Sequence, residues 1–433
     1  MTVRLEERLR RDLRAGETPA LDAEAMVGAA RVRVDRRRRH VRWAGVASAL
    51  ALVVGVAAVI GTRTEPTAPV STAPASLATT VATTASATTT TSPTGGGLAD
   101  VAWQPIAPNP LGQRWNAVTV WTGSEAIAWG GSELTTDETV HADGAAYDPA
   151  TNSWRLIAAG ELSPRIDEWA FWSGESMLVL GGAAPDGTPL PAQLAAYDSA
   201  TDTWSSRAAP PFASVTTADV AVWTGDGIVV WTHTGEAAHY DPVTDTWTPL
   251  VAAPIEPRSH AAAVWTGSEV VVWGGESADG RDTFHDGAAL DLATGVWRTI
   301  AASPLSGRVT SPVWTGREMV IDAGHAGAFA LDDGAAYDPA TDTWRSISSG
   351  PAHPGLVAVW TGSDMVAMAK GTAVIWDAAT DTWPADWGRF DGGPTSAQAP
   401  LWTGRWVLAF GPSVDAASDA GGFALRPDLV TPG

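Results

Sequence analysis

The stretch that decides the fold is Ala261–Ile300, AAAVWTGSEVVVWGGESADGRDTFHDGAALDLATGVWRTI. Two apolar runs, Ala261–Trp265 and Val270–Trp273, are separated by a short turn that contains glycine. A polar loop follows, and two further extended segments, Gly287–Asp291 and Val296–Ile300, are separated by a second turn. Short runs of β-branched and aromatic residues bounded by turn residues indicate four antiparallel strands. No stretch after residue 100 keeps apolar residues at helical spacing over three turns, so the sequence predicts an all-β domain.

The same unit recurs along the chain. A Trp-Thr/Ser-Gly triplet begins at Trp121, Trp172, Trp223, Trp265, Trp314, Trp360 and Trp402. A second tryptophan closes a turn at Trp103, Trp154, Trp204, Trp247, Trp297, Trp344 and Trp383. A repeat of about 40–50 residues with glycine and aromatic punctuation indicates a β-propeller.

The two ends of this array are complementary. Trp103 has the place of a fourth-strand tryptophan but has no triplet before it, whereas the unit opened by Trp402 reaches only a third strand near Phe423. We therefore expect Val101–Ile106 to complete the blade that Trp402 begins. Residues 99–433 would then form seven four-stranded blades, and closure would remove the open sheet edges at both ends.

Details of the unit resemble the kelch repeat. Tyr147–Trp154 and Tyr337–Trp344 share a Tyr-Asp-Pro-Ala-Thr pattern that ends in tryptophan, and double glycines stand at Gly130-Gly131, Gly181-Gly182 and Gly274-Gly275. The blades after Trp223, Trp314, Trp360 and Trp402 lack the double glycine. The resemblance covers about residues 101–428. It implies the architecture of the galactose oxidase central domain, with functions that range from protein binding to catalysis.

A membrane segment is predicted before the propeller. Trp43–Gly61 is an uncharged apolar run of 19 residues, which as a helix spans about 28 Å, enough to cross a bilayer. The basic cluster Arg36–Arg42 precedes it, and positive charge on that flank favours a cytoplasmic N-terminus. We expect a single-pass protein of the cell membrane with an extracytoplasmic propeller; a cleaved signal peptide is the alternative.

The segments that flank this run have different compositions. Residues 1–42 are basic, and Leu5, Leu9 and Leu13 repeat at helical spacing, which indicates a short amphipathic helix. This helix either docks on a cytoplasmic protein or lipid headgroups, or belongs to a tail that orients insertion. Residues 62–98 are mostly Thr, Ala, Ser and Pro, a composition typical of a disordered stalk.

The charge balance excludes one class of function. The formal net charge is −21, and beyond residue 65 the chain carries 40 acidic residues against 14 Lys and Arg. Nucleic-acid binding by the propeller is therefore excluded, because phosphate recognition needs a basic surface. The chain has no cysteine and 26 arginines beside a single lysine, Lys370; that bias suggests a GC-rich bacterial coding sequence.

Candidate binding residues lie on one face of the predicted ring. In an up-and-down blade, the short strand 1–2 and 3–4 turns share one face. The long loops 132–143, 183–194 and 276–286 lie on the other, where function is favoured. The candidate ligand contacts on the face with the long loops are Arg114, Trp115, Arg165, Trp169, Arg258, His260 and Arg308.

Each residue type in this set has two interpretations. The arginines could hold a carboxylate ligand around the central channel, or they could bond backbone carbonyls and acidic neighbours between blades. Trp115 and Trp169 could stack on a sugar ring or plug the channel. His260, with His141 and His285, stands near aspartates, but the spacing matches no ligand motif, so no metal or cofactor is predicted.

The function predicted from these features is non-enzymatic recognition of an envelope or extracellular protein or glycan. One alternative is a transmembrane sensor whose residues 1–42 bind a cytoplasmic partner such as a transcription factor, in the manner of an anti-sigma protein. The other is an envelope sugar hydrolase or lyase. A galactose oxidase site needs a cysteine-modified tyrosine, and all four tyrosines occupy the Tyr-Asp repeat position or its equivalent, Tyr147, Tyr197, Tyr240 and Tyr337.

Overall fold

The structure, a computed structural model, describes residues 104–133, 139–350, 357–369, 372–383, 400–411 and 422–425. The predicted membrane segment, the segments on either side of it and Trp103 lie outside these residues. None of the described residues belongs to a helix of the length and apolarity that a bilayer crossing requires.

Short β-strands make up the regular structure of the described residues. The first strands are β1 (Gln104–Pro105), β2 (Val118–Trp121), β3 (Ala126–Trp129), β4 (Gly144–Asp148), β5 (Ser153–Leu156), β6 (Trp169–Trp172), β7 (Ser176–Leu180), β8 (Leu194–Asp198) and β9 (Thr203–Ser206). The next are β10 (Val220–Trp223), β11 (Ile228–Trp231), β12 (Ala237–Asp241), β13 (Thr246–Pro249), β14 (Ala262–Trp265), β15 (Glu269–Trp273), β16 (Gly287–Asp291), β17 (Val296–Thr299) and β18 (Pro312–Trp314). The last are β19 (Met319–Asp322), β20 (His325–Ala326), β21 (Phe329–Ala330), β22 (Gly334–Asp338), β23 (Thr343–Ile347), β24 (Val357–Trp360), β25 (Asp364–Ala369), β26 (Thr372–Asp377), β27 (Leu401–Trp402), β28 (Val407–Phe410) and β29 (Gly422–Leu425).

Seven antiparallel sheets form the blades of a β-propeller. Blades 1 to 5 are β2–β5, β6–β9, β10–β13, β14–β17 and the set β18, β19, β22 and β23. Blade 6 has three strands among the described residues, β24–β26, and a bridge from Asp377 to Thr382 follows them. The apolar runs fill the space between sheets: Val271 and Val272 of β15, with opposite orientations along the strand, are both fully buried. The predicted all-β, seven-bladed architecture is confirmed.

Blade 7 closes the ring with strands from both ends of the repeat array. Its order is β1-β29-β28-β27, and Gln104 pairs with Ala424 while Pro105 pairs with Phe423. The amide of Ile106 extends the pairing by donating to the carbonyl of Gly422 at 3.2 Å. The expectation that the start of the array completes the blade begun at Trp402 is confirmed.

A repeated set of hydrogen bonds joins neighbouring blades at six seams of the described residues, and the turn that ends in tryptophan supplies it. At the seam of blades 7 and 1, the Trp154 indole donates to the carbonyl of Ala107 at 2.9 Å. The amide of Ala107 donates to Oδ1 of Asn152 at 2.9 Å, and the Tyr147 hydroxyl donates to the same oxygen. The indole bond recurs from Trp204 to Ala158, Trp247 to Ala208, Trp297 to Val251, Trp344 to Ala301 and Trp383 to Ser348.

The double glycines interrupt the pairing of the inner hairpin, which resumes beyond them in the same register toward the long loops. We call this break, in which neither strand has an extra residue, the bulge of the blade. Gly130 and Gly131 both have positive φ, 72° and 79°, and beyond them Trp115 bridges to Ser132. A Cβ on Gly131 would come within 2.6 Å of the Trp115 carbonyl oxygen, so only glycine fits there. Equivalent bridges follow the bulges of blades 2, 4 and 5, Ile166 to Ala183, Ser259 to Glu276 and Val309 to His325.

Blade 5 has its bulge at the same place without a double glycine, and there the second strand carries one extra residue, because Pro312 pairs with Ile321 whereas Val309 bridges to His325. Ala323 takes the first position with a φ of 53°, and Gly324 takes the second with a φ of 112°. The absence of the Gly-Gly pair after Trp314 therefore does not mean that the bulge is absent.

Candidate ligand-binding face

The two faces of the ring differ as the sequence predicts. The short turns after β2, β4 and their equivalents close with local bonds, such as the amide of Glu125 to the Thr122 hydroxyl at 2.9 Å. The opposite face carries the long connections between the second and third strands of blades 1, 2 and 4. We call it the long-loop face. A rigid ring with variable loops on one face places a candidate site on that face.

The four predicted arginines are buried at one register position, directly before the residue that bridges to the second strand beyond the bulge. The Arg114 guanidinium donates to the Gly130 carbonyl and to both oxygens of Asp143, the shorter bond being 2.8 Å. Arg258 and Arg308 form the same type of pair in their own blades. Their carboxylate partners are Asp286 at 2.6 Å and Asp333 at 2.8 Å.

In blade 2, the arginine donates its hydrogen bonds to neutral acceptors. Arg165 donates to the Gly181 carbonyl at 2.8 Å and to the Gln193 amide oxygen at 2.9 Å. Burial lowers the pKa of Arg165, and the charge of Glu168 opposes this. The side-chain partners described for all four arginines lie in or next to their own blades, whereas we expected partners between blades. A binding role for them stays a prediction.

A sequence signal for this bracing exists. Asp143, Asp286 and Asp333 each stand directly before the Gly-Ala-Ala sequence of a third strand. Burial opposes ionisation of Asp143, but the bonds and charge of Arg114 hold its pKa below the usual value. An arginine before the inner strand and an aspartate before the third strand of the same repeat therefore indicate an ion pair.

The two candidate tryptophans differ in accessibility. Trp169 is 1% exposed, its indole donates to the Thr216 carbonyl of blade 3 at 2.8 Å, and its ring is parallel to that of Phe171. No face of Trp169 is open to a ligand in this structure. Trp115 is partly exposed, and its indole nitrogen has no hydrogen-bond partner among the described residues.

His260 lies at the bulge and connects three elements. It has a positive φ of 56°, and its amide donates to the Ala218 carbonyl of blade 3 at 2.9 Å. Its Nδ1 is 3.0 Å from Oε1 of Glu276 in its own blade. This bond lowers the pKa of Glu276 below its usual value although burial opposes the shift. Of the other two predicted histidines, His141 lies 3.1 Å from Glu133 and His285 is exposed.

The structure adds two acidic residues that sequence reasoning missed, Asp167 and Glu168. Asp167 occupies the same bulge position as His260 and also has a positive φ, 57°. Burial raises the pKa of Asp167, and the charge of His260 opposes this shift. Asp167 belongs to blade 2 and His260 to blade 4, so a charge two blades away acts on Asp167. Oδ1 of Asp167 has no hydrogen-bond partner among the described residues.

Glu168 is buried between blades 1 and 2. It is 2% exposed, and a Cβ on Gly130 of blade 1 would come within 2.7 Å of its Oε1. Neither carboxylate oxygen has a hydrogen-bond partner within the described ranges. Burial raises the pKa of Glu168 well above its usual value, because loss of hydration disfavours the charged carboxylate.

Two further histidines occupy the same end of the ring. His233 approaches Asp219 to 2.6 Å through Nδ1, and this bond raises the pKa of His233. His325 is buried, and burial lowers its pKa. Across the described part of the chain, no three His, Asp or Glu side chains are arranged to hold a metal ion. We call the set Asp167, Glu168, Asp219, His233, His260, Glu276 and His325 the mouth cluster.

The comparisons with known proteins do not identify a family for this chain. No protein-family model and no curated protein matches the chain. Among solved structures, the chain is similar to YjhT, with a TM-score of 0.46 and 16% identity, over 56% of this chain and 86% of that chain. The class of protein, a seven-bladed β-propeller, follows from the sheet order and register.

Proposed function

We propose that this protein is a non-enzymatic recognition module whose kelch-like propeller binds its ligand on the long-loop face, at the mouth of the channel. One observation carries the proposal. At the bulge position, blades 1, 2 and 4 hold Asn116, Asp167 and His260, three different polar residues that all have positive φ. A non-glycine residue in this region costs about 1–2 kcal/mol, and such strain is concentrated at functional sites.

The charges of the mouth cluster favour a ligand with a positive group. The guanidinium groups of Arg114, Arg258 and Arg308 are paired with aspartates of their own blades, so these three charges do not offset the carboxylates of Asp167, Asp219 and Glu276. The chain as a whole is acidic, and a like-charged partner would be repelled. A lysine or arginine side chain of a partner protein fits this site better than the carboxylate ligand that the arginine ring suggested.

Sequence features support a location for this activity. Trp43–Gly61 would anchor the protein in the cell membrane, and residues 62–98 would connect the anchor to the propeller. The propeller would then act outside the cytoplasm of a bacterial cell. A pull-down with residues 1–42 tests the alternative of a sensor that signals to a cytoplasmic partner.

Binding of a lysine-rich peptide to the propeller tests the proposal. We expect Asp167→Asn and Glu276→Gln each to weaken binding about fivefold, the effect of losing roughly 1 kcal/mol of charge interaction. Asp186→Asn is the matched control, because Asp186 is exposed on a loop of the same face. Equal affinity of all three variants for the peptide would reject the mouth cluster as the site. Turnover of envelope glycans by the purified propeller would favour the enzymatic alternative.

A further inference from the structure

An arginine clamp joins neighbouring blades on the outer side of the ring. In blade 1, Arg155 contacts both oxygens of Glu125, at 3.0 and 2.7 Å, and donates to the Tyr197 hydroxyl of blade 2 at 3.2 Å. Blade 4 repeats this clamp with Arg298, Glu269 and Tyr337. Blade 5 repeats the carboxylate pair with Arg345 and Glu318.

Blade 2 lacks both charged members of the clamp. Ser205 pairs with Ala196 in the sheet, as Arg155 pairs with Ala146 in blade 1. Ser176 stands opposite Asp198, the register position of Glu269 opposite Asp291 in blade 4. A serine in place of the long arginine side chain leaves space at the outer strand of blade 2.

A different arginine appears two residues further along. The amide of Arg207 donates to the Leu194 carbonyl, as the amide of Ile157 donates to Gly144 in blade 1. Arg207 therefore occupies the position of a buried isoleucine. Arg207 is half-buried, its charge acts on Tyr240 of blade 3, and its Nε atom is buried without a hydrogen-bond partner among the described residues. A buried Nε–H group without an acceptor is unusual, because buried donors are almost always bonded.

Arg207 lines a cavity of about 400 Å³. Leu162 and Trp204 supply apolar surface, and Ser205 and Ser206 supply hydroxyl groups. The volume falls within the range of small-molecule sites, which combine apolar walls with a few polar groups.

We propose that this cavity binds a small organic monocarboxylate with an apolar or aromatic body. The guanidinium of Arg207 supplies the charged donors that suit a carboxylate, and Trp204 supplies an aromatic surface for the body of the ligand. Glu161, exposed at the same cavity, disfavours ligands with two negative charges. This site lies at the outer strand of blade 2 and is independent of the mouth cluster.

Calorimetry with 3-phenylpropionate, 3-phenylpropylamine and inorganic phosphate tests the site. We expect the full chain to bind 3-phenylpropionate and to bind the other two at least about tenfold more weakly. Arg207→Ile restores the residue type of blade 1, so it should keep or raise the melting temperature while reducing phenylpropionate affinity about tenfold. Arg281→Gln is the control, because the Arg281 side chain is 82% exposed, and it should change nothing.

Two further variants probe the space and the charge of the cavity. Ser205→Arg places the side chain of blade 1 in the cavity and should abolish binding. Glu161→Gln removes a repulsive charge and should tighten phenylpropionate binding about two- to threefold. Unchanged affinity in Arg207→Ile or Ser205→Arg, or equal binding of the amine, would overturn the proposal. A Glu161→Gln variant with weaker binding would also contradict it.

Discussion

The indole nitrogen of Trp154 and the carbonyl oxygen of Ala107 are joined by a 2.9 Å hydrogen bond across 47 residues of sequence, and this bond connects blade 7 to blade 1. Ala107 directly follows the segment that pairs with β29. The same short segment therefore completes one blade and anchors the next.

Ring closure predicts a large effect of a small truncation. A chain that begins at residue 98 keeps β1, whereas a chain that begins at residue 108 exposes the edge of β29 and loses the Trp154 acceptor. We expect the shorter chain to melt at a clearly lower temperature and to aggregate, because an open strand edge recruits other chains. Equal melting temperatures and equal solubility of the two chains would show that β1 is dispensable.

Alanine substitution should cost different amounts of unfolding free energy at two glycines with positive φ, one in the bulge and one in a turn. Gly131→Ala places a Cβ within 2.6 Å of the Trp115 carbonyl and 2.8 Å of the Ala117 amide. Gly123 has a φ of 100°, and a Cβ there would have no atom within 4 Å. We expect Gly123→Ala to cost about 1 kcal/mol of unfolding free energy and Gly131→Ala about 3 kcal/mol or more. Urea denaturation of both variants measures the difference, and equal costs would mean that the backbone at the bulge moves aside.

Asp322 predicts a pH dependence of stability. It ends β19 at the position that Trp129 and Trp273 occupy in blades 1 and 4, and its oxygens lie against Gly350. Burial raises its pKa to about 7. The folded state therefore retains a proton that the unfolded chain releases near pH 4, so the free energy of unfolding falls as pH rises from about 4 to 7.

Asp322→Asn should remove this dependence. We expect the variant to gain on the order of a few kcal/mol relative to the parent at pH 8, and much less at pH 4, where the parent carboxyl is protonated. Urea titrations at both pH values measure it. Asp282→Asn, an exposed aspartate, is the control, and a gain that is the same at both pH values would contradict burial of an ionisable group as the cause.

The Arg155 clamp predicts a measurable coupling energy. Arg155 contacts both carboxylate oxygens of Glu125. Its side chain is 37% exposed, however, so solvent weakens the pair. A double-mutant cycle with Arg155→Met and Glu125→Gln should give about 0.5–1 kcal/mol. The same two substitution types at Arg281 and Asp279, an exposed pair, should give a value near zero. A zero coupling in the clamp would limit its role to orienting Tyr197.

The fold could be predicted from the sequence because the residues that specify each blade lie close together in the chain. Turn residues, β-branched runs and the Tyr-Asp-turn-Trp pattern act within about 40 residues, and the mismatch between the two ends of the array indicated closure. The site was harder to predict from the sequence. The environment of Glu168 depends on Gly130 in another blade, and that of Asp167 depends on His260 two blades away. Such neighbours follow from the radius and register of the ring, which no single repeat encodes.

The pairing in blade 7 also fixes where a tether at the start of the propeller would meet the ring. Gln104 and Ala424 are partners in antiparallel strands, so the chain enters β1 and leaves β29 at one end of the blade. This end carries the short turns, because a third strand always runs toward the turn that leads to the fourth. A tether joined at Gln104 would hold the ring by its short-turn face and direct the long-loop face away from the point of attachment. A fusion at either end of the domain would for the same reason leave the mouth of the channel unobstructed.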